Sequence, residues 1–332
     1  MRDDYLWDRS GEPDPEIQRL EEVLGRLGSK QSASPWSKKP GVRTIPPRGR
    51  WHAAIAAGVV VLIAASWLVS RPFKIGWNVA RVAGTPTLGS HSLHATGQLT
   101  VGEALVTDSR SRAKLGVWNI GEVEVEPNSR LRLLRARKTD HRLALDRGTL
   151  HATIWAPPRL FSVETPAAVA VDLGCEYTLH VDASGTTLHV IMGWVGFMQN
   201  GHESWVPAGA ECVMRRGTPP GTPYFVDASD TFRLALDRFD FEHDPAALDA
   251  ILPAARPRDA LTLWHLLPKL HGSAQALVYE RMVALVPPPA GVTRQGILAD
   301  DRQMFDRWWD QLNFGDSSLW RIWKGPSPFQ TK

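Results

Sequence analysis

Cysteine is almost missing from this chain: Cys175 and Cys212 are the only two in 332 residues. Two thiols cannot make a disulfide framework or a cysteine-rich zinc module. Their spacing excludes a Cys-x-x-Cys redox pair. No histidine precedes His52 and no cysteine precedes Cys175, so the first fifty residues lack the ligands of a structural zinc site. His91 and His94 are three apart, but they lie in a Gly- and Ser-rich stretch with no third ligand in view. No nucleophile elbow, His-Glu-x-x-His pair or phosphate-binding loop occurs, so the expectation is no enzyme, no metal and no cofactor. Net charge is small, +3, and its basic excess sits largely in one short flank, which gives no case for a nucleic-acid partner.

One segment lacks charge altogether. Residues 51–69 read WHAAIAAGVVVLIAASWLV, and the seventeen from Ala53 to Val69 carry one hydroxyl, Ser66, and no ionisable group. As a helix the run reaches about 28 Å, close to the hydrocarbon thickness of a lipid bilayer. Trp51 and Trp67 stand near its ends, where indoles favour the interface. A buried core helix would show a polar stripe, and none is present. Lys38, Lys39, Arg43, Arg48 and Arg50 precede the run, and no acid occurs between Ser29 and Trp51. Arg71, Lys74 and Arg81 follow, and the next basic residue is Arg110. This bias orients the N-terminus to the cytoplasm, with the rest of the chain outside the inner membrane. An apolar region that starts after fifty residues suits an uncleaved signal anchor better than a cleaved signal peptide.

The expected divisions are residues 1–50 inside, 51–70 spanning, 85–225 as an outer β domain and 226–332 as an outer α-helical region. The class is α+β multidomain: one transmembrane helix, an all-β sandwich or β-roll, and a small C-terminal helical bundle. Inside, DPEIQRLEEVLGRLG reads as a helix with Asp14 as N-cap, Pro15 as first residue and Gly28 as stop. Ile17, Leu20, Leu24 and Leu27 share one face. A helix this short is marginal alone, so that face calls for a protein partner, a second copy or the membrane surface, unless it merely trails from the anchor. Residues 29–50 read as a flexible basic tether.

From about Leu99 to Met214 the apolar residues alternate. Val123 and Val125, Leu131 and Leu133, Leu143 and Leu145, Phe161 and Val163, Val169, Val171 and Leu173, Tyr177, Leu179 and Val181, Leu188 and Val190, and Val195 and Phe197 mark half-buried strands. Asp182 to Gly185 and Asn200-Gly201 are hairpin signals. Some ten short strands at even spacing predict a sandwich, barrel or β-roll.

Within this stretch several motifs follow in order. A strand, an Arg147-Gly148 turn and a strand span Leu143 to Ile154. Arg159, Phe161 and Val163 then precede Thr165-Pro166. Leu173, Gly174, Cys175, Tyr177 and Leu179 come next, and Gly193, Trp194 and Val195 close the block, with Gly209 after them. From about Val117 to Met214 the chain resembles the periplasmic domain of FecR-family proteins. Cys175 and Tyr177 stand where that family usually has Thr and Phe. The resemblance implies a single-pass sensor that receives an envelope signal, through an envelope receptor, and passes it to an extracytoplasmic-function sigma factor. The other reading is an anchored envelope module that binds glycan or protein without a regulatory role.

Two further points stay open in the sequence. Cys175 and Cys212 fall in different predicted strands outside the membrane, and they are either bridged or two separate buried thiols. Beyond the Pro- and Gly-rich residues 217–223, helices are expected near Asp244 to Leu252, Ala260 to Leu270 with a break at Pro268, Ala274 to Val286 capped by Ser273, and Asp300 to Leu312. These suggest two helical hairpins. Trp308, Trp309, Trp320 and Trp323 either fill that bundle or form a platform for sugar rings or a membrane.

Overall fold

The computed structural model describes residues 76–199, 202–312 and Phe314. The chain divides into two compact units, Met1–Arg71 and Pro72–Lys332. The first lies outside the described residues, and with it the expected helix face of Ile17, Leu20, Leu24 and Leu27 and the apolar run Trp51–Val69. No helix among the described residues is long and apolar enough to cross a membrane.

The second unit begins as two sheets between which the chain alternates. β1 (Gly76–Ala83) starts the first sheet. β2 (Thr87–Leu88) and β3 (His91–Ser92) form a small hairpin in the second. β4 (Thr96–Thr100) returns to β1, and β5 (Ala104–Val106) crosses back to β2. β6 (Arg112–Val117) and β7 (Gly121–Val125) are a hairpin of the first sheet. β8 (Arg130–Arg137) lies in the second, and β9 (Asp140–Ile154) belongs to both. β10 (Phe161–Glu164) with β11 (Val169–Asp172) and β14 (Trp194–Gln199) with β15 (His202–Pro207) extend the second sheet. β12 (Glu176–Val181) with β13 (Gly185–Met192), then β16 (Ala210–Arg215) with β17 (Tyr224–Phe225), extend the first. The first sheet therefore runs β4-β1-β6-β7-β9-β12-β13-β16-β17. The second runs β3-β2-β5-β8-β9-β10-β11-β14-β15. Every pairing is antiparallel except β9 with β10, which are joined in parallel by a six-residue loop, residues 155–160.

β9 is the hinge of the sandwich. Its first half pairs with β8 and β10, and its second half, from Gly148, pairs with β7 and β12. The crossing falls at Gly148, where φ is +91° and an added Cβ would lie 2.2 Å from the Ser129 Oγ. Only glycine meets both demands. Ser129 Oγ accepts from the Thr149 N–H at 2.9 Å and so ties β8 to the bend.

Alternation decides what is inside. Val123, Val125, Leu131, Leu133, Leu143, Leu145, Phe161, Val163, Leu179, Leu188, Val195 and Phe197 are fully buried in one core, as their spacing predicts. The Asp182 carboxylate accepts from the Ser184 and Gly185 N–H groups, which closes the expected hairpin between β12 and β13. Asn200-Gly201 lies outside the described residues, but the pair Gln199↔His202 flanks it. Among the described residues a strand already runs from Gly76 to Ala83, ahead of residue 85: Trp77 and Val79 alternate inward, over too short a run to stand out.

The helical region holds more, shorter helices than two hairpins. They are α1 (Asp230–Phe241), α2 (Leu248–Ala254), α3 (Ala260–Leu266), α4 (Gly272–Leu285), α5 (Arg294–Leu298) and α6 (Arg302–Gln311). The sequence does not announce α1, because DTFRLALDRFDF is strongly charged and buries only Phe232, Ala235 and Leu236. α3 stops before Pro268, as expected, and passes into a 3₁₀ turn. α4 begins at Gly272 with His271 as its N-cap, so Ser273 is inside the helix rather than its cap.

These helices pack on the first and second sheets at one seam. The Trp205 N–H of β15 donates to His265 Nε2 of α3 at 3.1 Å, and His265 Nδ1 bonds the Leu261 carbonyl at 2.8 Å. Both bonds together fix the Nδ1–H tautomer. Thr262 donates to the Pro223 carbonyl, and Lys269 binds Asp240 and Thr222. Trp309 packs against Trp194 of β14 and Trp264 of α3, with centroids 5.5 Å and 4.7 Å away. Trp308 and Trp309 are fully buried, so they fill the bundle and offer no platform. Trp320 and Trp323 lie outside the described residues.

Candidate ligand-binding end of the sandwich

The aromatic side chains that do face solvent are elsewhere. Trp118, in the β6–β7 turn, is 57% exposed, and Trp155, just after β9, is 67% exposed. The turn and the strand end meet: Gly121 pairs with Ile154, and the Trp155 N–H donates to the Ile120 carbonyl at 2.7 Å. Trp118 holds a left-handed backbone, φ +45°, which a bulky residue seldom adopts.

Beneath Trp118 lies a buried polar cluster. His141, the second residue of β9, shares a parity with Leu143 and Leu145 and so points inward. Its ring centroid is 5.9 Å from that of Trp118 and 5.8 Å from that of Trp77 on β1. Phe161, its register partner on β10, lies 6.3 Å from Trp77. His141 and Trp77 are each 2% exposed. Yet His141 Nδ1, His141 Nε2 and Trp77 Nε1 have no hydrogen-bond partner among the described residues. Buried polar atoms are rarely left so. Burial pushes the His141 imidazole below its usual range, while the Asp140 carboxylate pulls more weakly the other way, so the ring is neutral near pH 7.

A second buried polar cluster surrounds the first cysteine. The Cys175 thiol donates to Asp172 Oδ2, and the Gly174 N–H donates to Asp172 Oδ1 at 2.7 Å. Burial raises the Asp172 carboxyl to about 7, against the lowering effect of those two donors. Burial likewise raises the Cys175 thiol and the phenol of Tyr177, and the Tyr177 hydroxyl has no partner among the described residues. Cys212 donates to the Gly221 carbonyl at 3.3 Å, and burial pushes its thiol up to about 12. Both cysteines are free, so the bridge held open by the sequence is not made. Register explains why. Cys212 faces Leu188, Leu188 faces Leu179, and Cys175 is four residues from Leu179 along the chain. Two strand spacings and four residues put the pair on the order of 15 Å apart, against roughly 4.4–6.8 Å between the Cα atoms of a disulfide. Neither thiol is held as a thiolate, so neither is a nucleophile. Among the described residues no group of three or more His, Cys, Asp and Glu could hold a metal ion.

A family model described as FecR protein matches residues 103–196. Residues 103–196 therefore resemble a FecR-family domain. The FecR match runs from the start of β5 into β14, earlier at both ends than the resemblance from Val117 to Met214, and it includes Trp118, His141, Trp155, Asp172, Cys175 and Tyr177. Trp77 and the six α-helices of the described residues lie outside it. Among solved structures, the chain is similar to a protein of Parabacteroides distasonis ATCC 8503 described as a candidate anti-sigma factor. Two crystal structures of that protein, at 1.65 Å and 2.50 Å, both show 12% identity and a TM-score of 0.33. The likeness covers 40% of this chain and 63% or 62% of the other, and at that level it transfers neither fold nor activity. No curated protein matches the chain.

Proposed function

We propose that this chain is a membrane-anchored regulator of FecR type that couples an extracytoplasmic signal or partner to a cytoplasmic one by protein–protein contact. The observation that carries the reading is order along the chain. The FecR-family domain, residues 103–196, follows an uncharged run at Trp51–Val69 with a basic flank, and an amphipathic segment precedes both. The uncharged run supplies the inner-membrane span, with the sandwich and helices on the periplasmic side. The segment bearing Ile17, Leu20, Leu24 and Leu27 supplies the contact to a sigma factor or another cytoplasmic protein. No bond is made or broken; the output is a coupling free energy between two binding sites, set by how differently the signal binds the two states of the regulator.

Full-length protein extracted from membranes tests this. Co-purification with an extracytoplasmic-function sigma factor, lost in the double variant Ile17→Asp, Leu24→Asp, is the expected outcome. Retention of the sigma factor by that variant, or no capture by the wild type, defeats it. The exposed Trp118 and Trp155 favour a second reading, an anchored envelope module that binds glycan or protein without passing a message. Under that reading deletion of residues 1–50 leaves the envelope phenotype unchanged once insertion is restored by another anchor.

A further inference from the structure

We propose that the end of the sandwich around Trp118, His141 and Trp77 is a binding site for a neutral sugar ring of an envelope oligosaccharide, with Trp118 as its stacking face and cover.

The chemistry of the unpaired atoms selects the ligand. Trp77 Nε1 is a donor only. A neutral imidazole offers one donor and one acceptor. A partner for all three nitrogens must therefore both accept and donate, which is what a hydroxyl does. The rings around these atoms, Trp118, Trp77 and Phe161, ask for an apolar C–H face. A saccharide joins hydroxyl edges to C–H faces in one small rigid body. An anion fits worse: the imidazole is uncharged near pH 7 and offers no positive charge to hold it. An acyl chain would cover the rings and leave three buried nitrogens unpaired, which is costly. Trp155, exposed beside the same turn, offers a second ring to the next sugar along an oligomer. Entry requires Trp118 to swing off His141.

The proposal stands on these side chains and not on the regulatory reading, so the two fail separately. Sugar binding is read on purified protein, and coupling is read on sigma-factor capture.

The full-length protein is titrated calorimetrically with chitotriose and cellotriose, each to about 10 mM, where weak lectin-like sites still register. Binding of at least one trisaccharide is expected. Trp118→Ala should weaken it about tenfold or more, the effect of losing one stacking ring, and Trp118→Phe should restore much of it. His141→Phe keeps a ring but removes both nitrogens and should weaken binding without unfolding the chain. Because Trp118 is exposed, its variants leave the test intact if His141→Phe does not fold. No binding of either sugar overturns the proposal. So does binding that Trp118→Ala and His141→Phe leave unchanged, and so does a tryptophan-rich peptide that binds this end where sugars do not.

Discussion

Two histidines are equally hidden in this molecule and mean different things. His265, at the seam between β15 and α3, satisfies both ring nitrogens with backbone groups and locks one tautomer. His141, at the open end of the sandwich, satisfies neither among the described residues. Burial lowers both imidazoles. The seam uses its imidazole as a fastener. The aromatic end holds one whose bonding capacity is unspent, under a strained and exposed tryptophan. Burial alone therefore does not separate scaffold from site; the hydrogen-bond account does.

The largest expected effect probes the scaffold side. Trp309 packs among Trp194, Trp264, His265 and Phe314 and is 1% exposed. Trp309→Ala should cost about 3–5 kcal/mol and lower the thermal midpoint by several degrees in a calorimetric melt. Trp118→Ala should shift it within error. Equal losses at the two sites would erase the distinction between filler and platform.

His265 comes next. His265→Phe keeps an aromatic ring but strands the Trp205 N–H, so about 1–3 kcal/mol should be lost at neutral pH. The histidine also carries a pH signature. Burial holds its folded pKa at about 3, with the Leu261 carbonyl opposing and Lys269 assisting, while the unfolded chain titrates at its ordinary value of 6.5. Between those values the unfolded state binds more protons. The contribution of His265 is thus complete above pH 6.5 and falls as the pH drops toward 3. The stability that His265→Phe loses relative to the wild type should therefore shrink as the pH falls from 7 to 4, read from the denaturant midpoints of the two proteins.

Asp172 slopes the other way. Its folded pKa is raised from 3.8 to about 7, so here the folded state binds more protons across that interval. Its contribution is complete below pH 4 and is lost as the pH rises through 7. Asp172→Asn should remove that loss and gain stability relative to the wild type near pH 8, by an amount on the order of 1–2 kcal/mol. The two groups nearly offset one another between pH 4 and 6.5, so the wild-type profile should be flatter than that of either variant. A wild-type profile steeper than both would mean that other groups dominate.

Much of the sandwich is legible in the sequence because period-two alternation carries it. The same parity that buries Leu143 and Leu145 buries His141, so alternation by itself puts one member of the aromatic end inside. Trp77 and Val79 show the same parity over a run too short to be counted as a strand. Trp118 and Trp155 leave only a faint mark, each an aromatic next to turn residues at a strand end. No local rule says that a turn between β6 and β7 will meet the end of β9; that follows from pairing at long range. The tryptophans near the C-terminus stand out by number, but helix packing hides Trp308 and Trp309. The two cysteines invite pairing by compartment and count, and only the strand register shows them too far apart.

The smallest expected effect is the sharpest test of the contrast between the two histidines. Replacing a hydrogen-bonded buried group leaves its partner stranded; replacing an unpartnered one strands nothing. His141→Phe should therefore change stability by less than about 1 kcal/mol, with either sign, although His141 is as buried as His265. The reason is that the cost of holding two unpaired ring nitrogens is already borne by the folded wild type. Relieving it offsets whatever packing against Trp77, Trp118 and Phe161 is disturbed. Paired melts of His141→Phe and His265→Phe at pH 7 make the comparison direct. Near-neutrality at position 141 beside a clear loss at 265 is what an unused binding nitrogen predicts. A loss of several kcal/mol at 141 would instead show its nitrogens bonded within the fold, and would move the aromatic end to the scaffold side of the molecule.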